Sequence, residues 1–299
     1  MATDIRDVPG TMSNDADFRA WVAGWEAALL AGGGMIHTPG ITGELDPATV
    51  NRPAVGVDAG FRIYQFNDSF QATEPIYLRV TFGIHSNNVT QRRMKAQIGT
   101  GINAATGAIT GRLLVEQTSQ LVNAGTSMRI YSSGGAGRAT ILSGDPNPLG
   151  SSPSPICISV ERLRKIDGSP TDVATLFWLT TSTSQMVVAM IMAARLGQAG
   201  YTTAPSLGAA APRQDQAMPL IGDDAMVAPL LYPFAPDWLV HPGIAIAHGG
   251  TALWAPPGTI QLQHMGALRT FMPIGNAYLS STQLGPGTTF GAQGLLLWE

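Results

Sequence analysis

Five histidines, His37, His85, His241, His248 and His264, are the side chains here best suited to ligate a metal or relay a proton. His241 and His248 stand in a stretch rich in Pro and Gly, outside any HExxH or H-x-H pattern. A metal set built from His241, His248 and His264 with Asp223 or Asp224 has suitable chemistry, but no spacing selects it, so turn and edge histidines bound to backbone groups are expected. Nucleophilic catalysis has no clearer signature. Gly150-Ser-Ser-Pro-Ser154 only superficially resembles a G-x-S-x-G elbow. Glycoside hydrolysis needs two facing carboxylates, and most carboxylates fall in turns, as Asp46, Asp68, Asp145, Asp167 and Asp172 do. Glu116 and Glu161 remain as a pair to test, with solvated strand positions the expectation for both. Gly99-Thr-Gly101 follows a strand with no helix after it, which is the wrong setting for a phosphate loop. No catalytic, cofactor-binding or metal-ligating residue is assigned, and the chain is expected not to be an enzyme.

Binding chemistry has more to offer. Arg92-Arg93 with Lys95 is a basic cluster after the polar turn Ser86-Asn-Asn-Val-Thr-Gln91. An exposed cluster of this kind suits an acidic partner or an anionic polysaccharide, or else protects a sheet edge. Trp238, Trp254 and Tyr201, each near Gly or Pro, are candidate rings for recognising a host surface, with core packing as the alternative. Cys157 lies in the alternating apolar run Pro155-Ile-Cys-Ile-Ser-Val160 and is expected to be a buried core residue. One cysteine excludes an intramolecular disulfide framework.

These groups sit in a chain of 299 residues that is 44% hydrophobic but only 12% charged, with 35 Gly and 21 Pro. An average soluble domain is about 25% charged. The apolar content excludes wholesale disorder, and a net charge of -3 excludes nucleic-acid binding by broad phosphate neutralisation. The Gly and Pro content argues for many short elements and against a helical bundle. Lys95 and Lys165 are the only lysines. Arginine tolerates partly buried interfaces better than the strongly hydrated lysine, so a surface covered by neighbouring copies is expected; a genome-wide preference for Arg over Lys accounts for the lysine deficit equally well. The opening residues lack a secretory-signal pattern. The long uncharged stretch from Val173 to Ala194 has a polar centre, Thr180-Thr-Ser-Thr-Ser-Gln185, and is expected to be a hairpin of two strands rather than a membrane span.

The elements that must position all of this begin with Met1 to Met12, read as an arm. A helix follows, capped by Ser13, Asn14 or Asp15 and ended by Gly32-Gly33-Gly34. Phe18, Trp21, Val22, Trp25 and Leu29 form one apolar stripe on it, which either packs on the chain's own sheet or docks onto another subunit. Residues 35–60 are turn-rich and read as an extended connector. Strands are expected at Phe61–Phe66, Ile76–Phe82, Met94–Ile98, Met128–Tyr131, Arg138–Leu142, Ile156–Arg164, Val173–Thr180 and Met186–Ala193. The fold class is mainly β: an antiparallel β-sandwich or jelly-roll-like body over 61–196, with the N-terminal amphipathic helix and long loops. Residues 197–299 form a β- and loop-rich region, and the apolar Gly294-Leu-Leu-Leu-Trp-Glu299 is expected to pair inside a sheet.

The order of these features resembles a family. Asp17-Phe18-Arg19-Ala20-Trp21, Gly32-Gly-Gly, His37-Thr-Pro39 and Asn51-Arg52-Pro53 come first. Ala59-Gly-Phe-Arg-Ile-Tyr64, Phe66-Asn-Asp-Ser-Phe-Gln-Ala-Thr73, Pro75-Ile-Tyr-Leu-Arg-Val-Thr-Phe-Gly83 and Ile98-Gly-Thr-Gly101 follow. Together they resemble the N-terminal part of uncharacterised virion structural proteins of tailed bacteriophages, over about Ala16 to Gly101. The resemblance implies homo-oligomeric assembly, docking to other virion proteins and no cofactor; no nucleic-acid partner and no membrane insertion are expected from the net charge and from the polar centre of the long uncharged stretch. It implies a chain made in a bacterial cytoplasm and located in the virion, in the tail, collar, baseplate or fibre apparatus. A capsid decoration or cement protein, a module recognising a host glycan or pilus, and a virion-associated hydrolase are the alternatives, in that order.

Overall fold

The computed structural model describes residues 2–113, 116–120, 127–144, 156–165, 167–182, 185–192, 226–234, 237–248, 259–264, 267–273 and 292–298. Polar and apolar residues alternate along several of these segments, the pattern of strands with two unlike faces. The first elements are β1 (Ala2–Pro9), α1 (Asp15–Ala31), β2 (Met35–His37), β3 (Asp58–Phe66), β4 (Tyr77–Ile84), β5 (Arg92–Asn103), β6 (Ala108–Leu113) and β7 (Gln117–Gln120). Then come β8 (Ser127–Gly135), β9 (Arg138–Gly144), β10 (Ile156–Lys165), β11 (Pro170–Ser182) and β12 (Gln185–Met192). The last are β13 (Met226–Phe234), β14 (Asp237–His248), β15 (Ile260–His264), β16 (Ala267–Pro273) and β17 (Ala292–Leu297).

Two antiparallel sheets result, and the protein is mainly β, with a sandwich-like body and one helix among the described residues. The smaller sheet runs β2-β3-β4-β5-β6, with β7 also on β5. The larger runs β1-β8-β9-β10-β14-β17-β16-β15, with β11 on β10, β12 on β11 and β13 on β14. The uncharged stretch is a β11–β12 hairpin, closing at Ser182 opposite Gln185. The C-terminal strand β17 lies inside the sheet, between β14 and β16. Residues 2–9 depart from the expected arm: they pair along their length with β8, Val8 opposite Met128. Their apolar residues Ala2, Ile5 and Val8 stand three apart and show no strand period, so only the distant partner strand reveals this element.

Helix α1 begins where Asn14 Oδ1 accepts the Asp17 N–H at 2.9 Å, which fixes the cap among the three candidates. Its apolar stripe lodges in one core with Tyr64, Phe66, Leu78, Val80 and Phe82 of the smaller sheet and Met128, Ile130, Ala139, Ile141, Ile158 and Val160 of the larger. Trp21 and Trp25 meet Phe82 edge-on, at ring-centroid distances of 5.3 and 5.6 Å. At the helix end the backbones of Gly32 and Gly134 touch: a Cβ on Gly32 would lie 2.5 Å from the Gly134 Cα.

The larger sheet also has a polar interior. Arg138, Thr140, Ser159 and Glu161 alternate with the core residues of β9 and β10, so they point away from the core, yet all are buried. Arg164 pairs with both Pro170 of β11 and Val240 of β14, so β14 takes the edge of β10 that β9 has left. From there β14 and β17 lie against the polar face. Gly243 N donates to Glu161 Oε2 at 2.9 Å, and Ser133 Oγ and Arg138 Nη1 donate to Leu297 O at 2.8 and 3.1 Å.

Candidate functional site

Four clusters of ionisable groups stand out among the described residues, each positioned by elements distant in sequence. On the smaller sheet, Asp58 at the start of β3 receives Arg93 Nη2 at 2.5 Å and Lys95 Nζ at 2.9 Å from β5, and Glu116 stands 3.4 Å from Lys95. Burial pulls the Asp58 carboxyl up, but the hydrogen bonds from Lys95 and Arg93 outweigh it and hold the group below its ordinary value. Between helix and sheet, Arg62 Nη2 donates to Glu26 Oε1 at 2.6 Å, and Glu44 lies between Arg62 and His37 Nε2, 2.8 Å from the latter. Glu44 Oε1 also accepts the Ile63 N–H at 2.6 Å. Beside them burial pushes the Tyr64 phenol well above its ordinary range, and the Glu26 charge adds to this.

The other two clusters involve the larger sheet. Arg162 of β10 reaches Asp68 in the loop after β3, with the side chains 2% and 7% exposed. In the polar layer Arg138 and Glu161 form a second buried pair. A third buried cation, Arg92, lies at the start of β5, where Nη1 donates to the carbonyls of Pro9 and Gly10 at 3.2 and 3.1 Å. Burial pushes its guanidinium down to about 9. Chemically these arrangements anchor elements. The His37–Glu44 pair resembles half of a nucleophile-activating triad, but both Glu44 oxygens are engaged in holding β2 and β3 together.

The sequence-based candidates therefore fall as follows. Phe18, Trp21, Val22, Trp25 and Leu29 are buried in the chain's own core, which corrects the docking reading of that stripe. Two tryptophans supply too much apolar surface to leave uncovered while two sheets stand open beside them. Arg92 is not on an exposed turn; it ties β1 to β5. Arg93 and Lys95 are bound to Asp58 rather than facing an acidic partner unpaired. Glu116 stands by Lys95 while Glu161 is buried against β14, so the structure does not bring that pair together. Gly99-Thr-Gly101 is part of strand β5. His241 and His248 both fall on β14 and His264 ends β15. Among the described residues no group of three or more His, Cys, Asp or Glu side chains could hold a metal ion. Trp238 lies on β14 opposite Pro233, and Cys157 on β10 opposite Leu142. Trp254, Tyr201, Asp223 and Asp224 lie outside the described residues.

Sequence reasoning missed one feature of the surface. Strand β1 ends the larger sheet, paired among the described residues with β8 alone, and carries Ile5 at 55% exposure. Asp4 and Arg6, its neighbours in sequence, share the opposite face of the strand and are joined by a hydrogen bond. Ile36 and Leu268 are also exposed, and so is a group of three valines, Val55, Val57 and Val89. They are brought to one end of the smaller sheet because Gly56 N donates to His85 O at 3.1 Å and Arg52 reaches Val89 O. No helix among the described residues is long and apolar enough to cross a membrane. No protein-family model, curated protein or solved structure matches this chain.

Proposed function

We propose that this chain is a non-enzymatic structural component of a tailed-bacteriophage virion, in the tail, collar, baseplate or fibre apparatus. It acts by assembling with copies of itself and with neighbouring virion proteins. The observation that carries the reading is where the scarce charge goes. In a chain that is 12% charged, Arg92, Arg138, Arg162 and Glu161 are buried, and Arg62, Arg93 and Lys95 are bound to carboxylates of the same chain. Meanwhile Ile5, Val55, Val57, Val89 and Leu268 stand exposed. A surface with few free charges and scattered large apolar groups suits a protein covered by others of its kind. The sandwich-like body and the resemblance over Ala16 to Gly101 agree with this reading. Attachment through the helical stripe does not, because that stripe is already occupied in the chain's own core.

Two measurements test it. Light scattering of the purified chain over a wide concentration range is expected to give a stable closed oligomer; a monodisperse monomer at the highest concentration counts against assembly. Antibodies against the chain are expected to label particles produced from the genome that encodes it. Unlabelled, intact particles lacking the chain would remove it from the virion.

A further inference from the structure

Among the described residues β1 is an edge strand, and its own charges select a partner. We infer that the outer edge of β1 pairs antiparallel with β1 of a second copy about a two-fold axis at Ile5, so that the larger sheet runs on from one protomer into the next. An edge strand presents a row of backbone donors and acceptors and is closed by pairing or guarded by repulsion. In an antiparallel pair that continues the sheet, residues facing each other share a face, so registers related by two-fold symmetry differ in steps of two. Placing Asp4 opposite itself sets like charges face to face, and so does placing Arg6 opposite itself. With Ile5 opposite Ile5, Asp4 faces Arg6 of the second copy twice over, Thr3 faces Asp7 and Ala2 faces Val8.

That register covers the exposed Ile5 with its own counterpart, beside Tyr131, its cross-strand neighbour on β8. Pro9, which has no N–H to donate, falls outside the paired segment. Asp4 and Arg6 already attract each other within one strand, and the second copy turns that pair into a ring of four alternating charges. Charges of a single sign would repel a second copy in every register. This one carries charges that repel a second copy in neighbouring registers and accept it in a single one. The contact is isologous, as a two-fold axis requires.

The inference deepens the assembly reading, and it rests on that reading for self-association alone. It is tested by sedimentation velocity on the full chain and on the single variants D4R and R6D. Wild type is expected to associate in even numbers. Each single variant places like charges opposite each other, and its association is expected to weaken by roughly tenfold or more. An equimolar mixture of D4R and R6D is expected to recover wild-type association, since Arg at position 4 of one chain then meets Asp at position 6 of the other. Repair of the pair within one strand cannot produce that recovery. Circular dichroism matching wild type establishes that each variant has folded. Ile5→Lys, which leaves Asp4 and Arg6 in place, is expected to dissociate the protein and supplies the second variant should either single reversal fail to fold. Wild-type association by D4R, R6D and Ile5→Lys would overturn the β1 interface while leaving assembly intact. A dissociated mixture of two folded variants would also overturn it. A monomeric wild type would overturn both.

Discussion

Arg162 Nε donates to Asp68 Oδ2 at 2.9 Å, and through this bond the two sheets are fastened to each other. Asp68 lies in the loop after β3, whereas Arg162 belongs to β10 of the larger sheet. The guanidinium also donates to Thr171 O at 3.2 Å and Glu74 O at 3.1 Å, and lies 5.4 Å from the Phe66 ring centre and 5.7 Å from that of Phe70. Every arm of the cation is engaged, which is what makes a buried charge tolerable.

Removing one member of that pair leaves the other buried and uncompensated. Arg162→Ala is expected to lower stability by about 3–5 kcal/mol, read from urea denaturation. Arg162→Lys is expected to recover little, because one ammonium group cannot donate in the three directions that the planar fork serves. Full stability in Arg162→Lys would mean that charge alone matters at this position.

The helix belongs to the core. Trp25→Ala is expected to cost about 3–5 kcal/mol by leaving a cavity beside Phe82 and Tyr64. A chain lacking residues 1–34 loses α1 and β1 together and is expected not to fold, as judged by the loss of a cooperative thermal transition. A folded truncated body would return the helix to the role of a detachable anchor.

Asp58 gives a pH signature whose sign is fixed. Its folded-state carboxyl titrates below the ordinary value of 3.8, so it contributes stability that is fully present above that value. The contribution is lost as pH falls through the lower folded-state value. Asp58→Asn is expected to be less stable than wild type by about 1 kcal/mol at pH 7, since the pair is partly exposed and screened. The gap should narrow below about pH 4. A gap that stays constant down to pH 2 would show that the charge is not what Lys95 and Arg93 recognise.

Gly134 is required by contact rather than by backbone angle. A Cβ there would stand 2.9 Å from the Gly32 Cα, where the end of α1 meets β8. Gly134→Ala is expected to cost about 1–3 kcal/mol, seen as a lowered thermal midpoint. Gly33→Ala is the contrast: nothing lies within 4 Å of its Cβ, and strain comes from its φ of +68° alone.

Strands with two unlike faces could be read from alternation, and so β3, β4, β8, β9, β10, β11 and β12 agree with expectation to within a few residues. The helix was equally legible, because five apolar groups at helical spacing admit one geometry. Charged residues misled for a single physical reason: alternation says which face a side chain takes, not whether that face meets water. Glu161 takes the outward face of β10, and β14 covers it. Arg92 follows a polar turn, and Pro9 and Gly10 close over it. Strand β1 was illegible because it has no internal pattern apart from its partner. Of the candidate site, only the residue types were legible; their company came from the fold.

The distance along the chain between β1 and β8 has a consequence in time. Asp7 meets Arg129 across 122 positions, so residues 2–9 leave the ribosome well before the strand they pair with exists. At about 5–20 residues per second, that interval is on the order of ten seconds. Through it Trp21 and Trp25 have only part of their final surroundings, because the β8–β10 wall of the core is still unmade. The nascent chain therefore passes through a waiting period with α1 only partly covered, and formation of the β8–β10 wall is the event that ends it. The wall that completes the surroundings of α1 comes from the middle of the sequence, β8 to β10, rather than from its beginning.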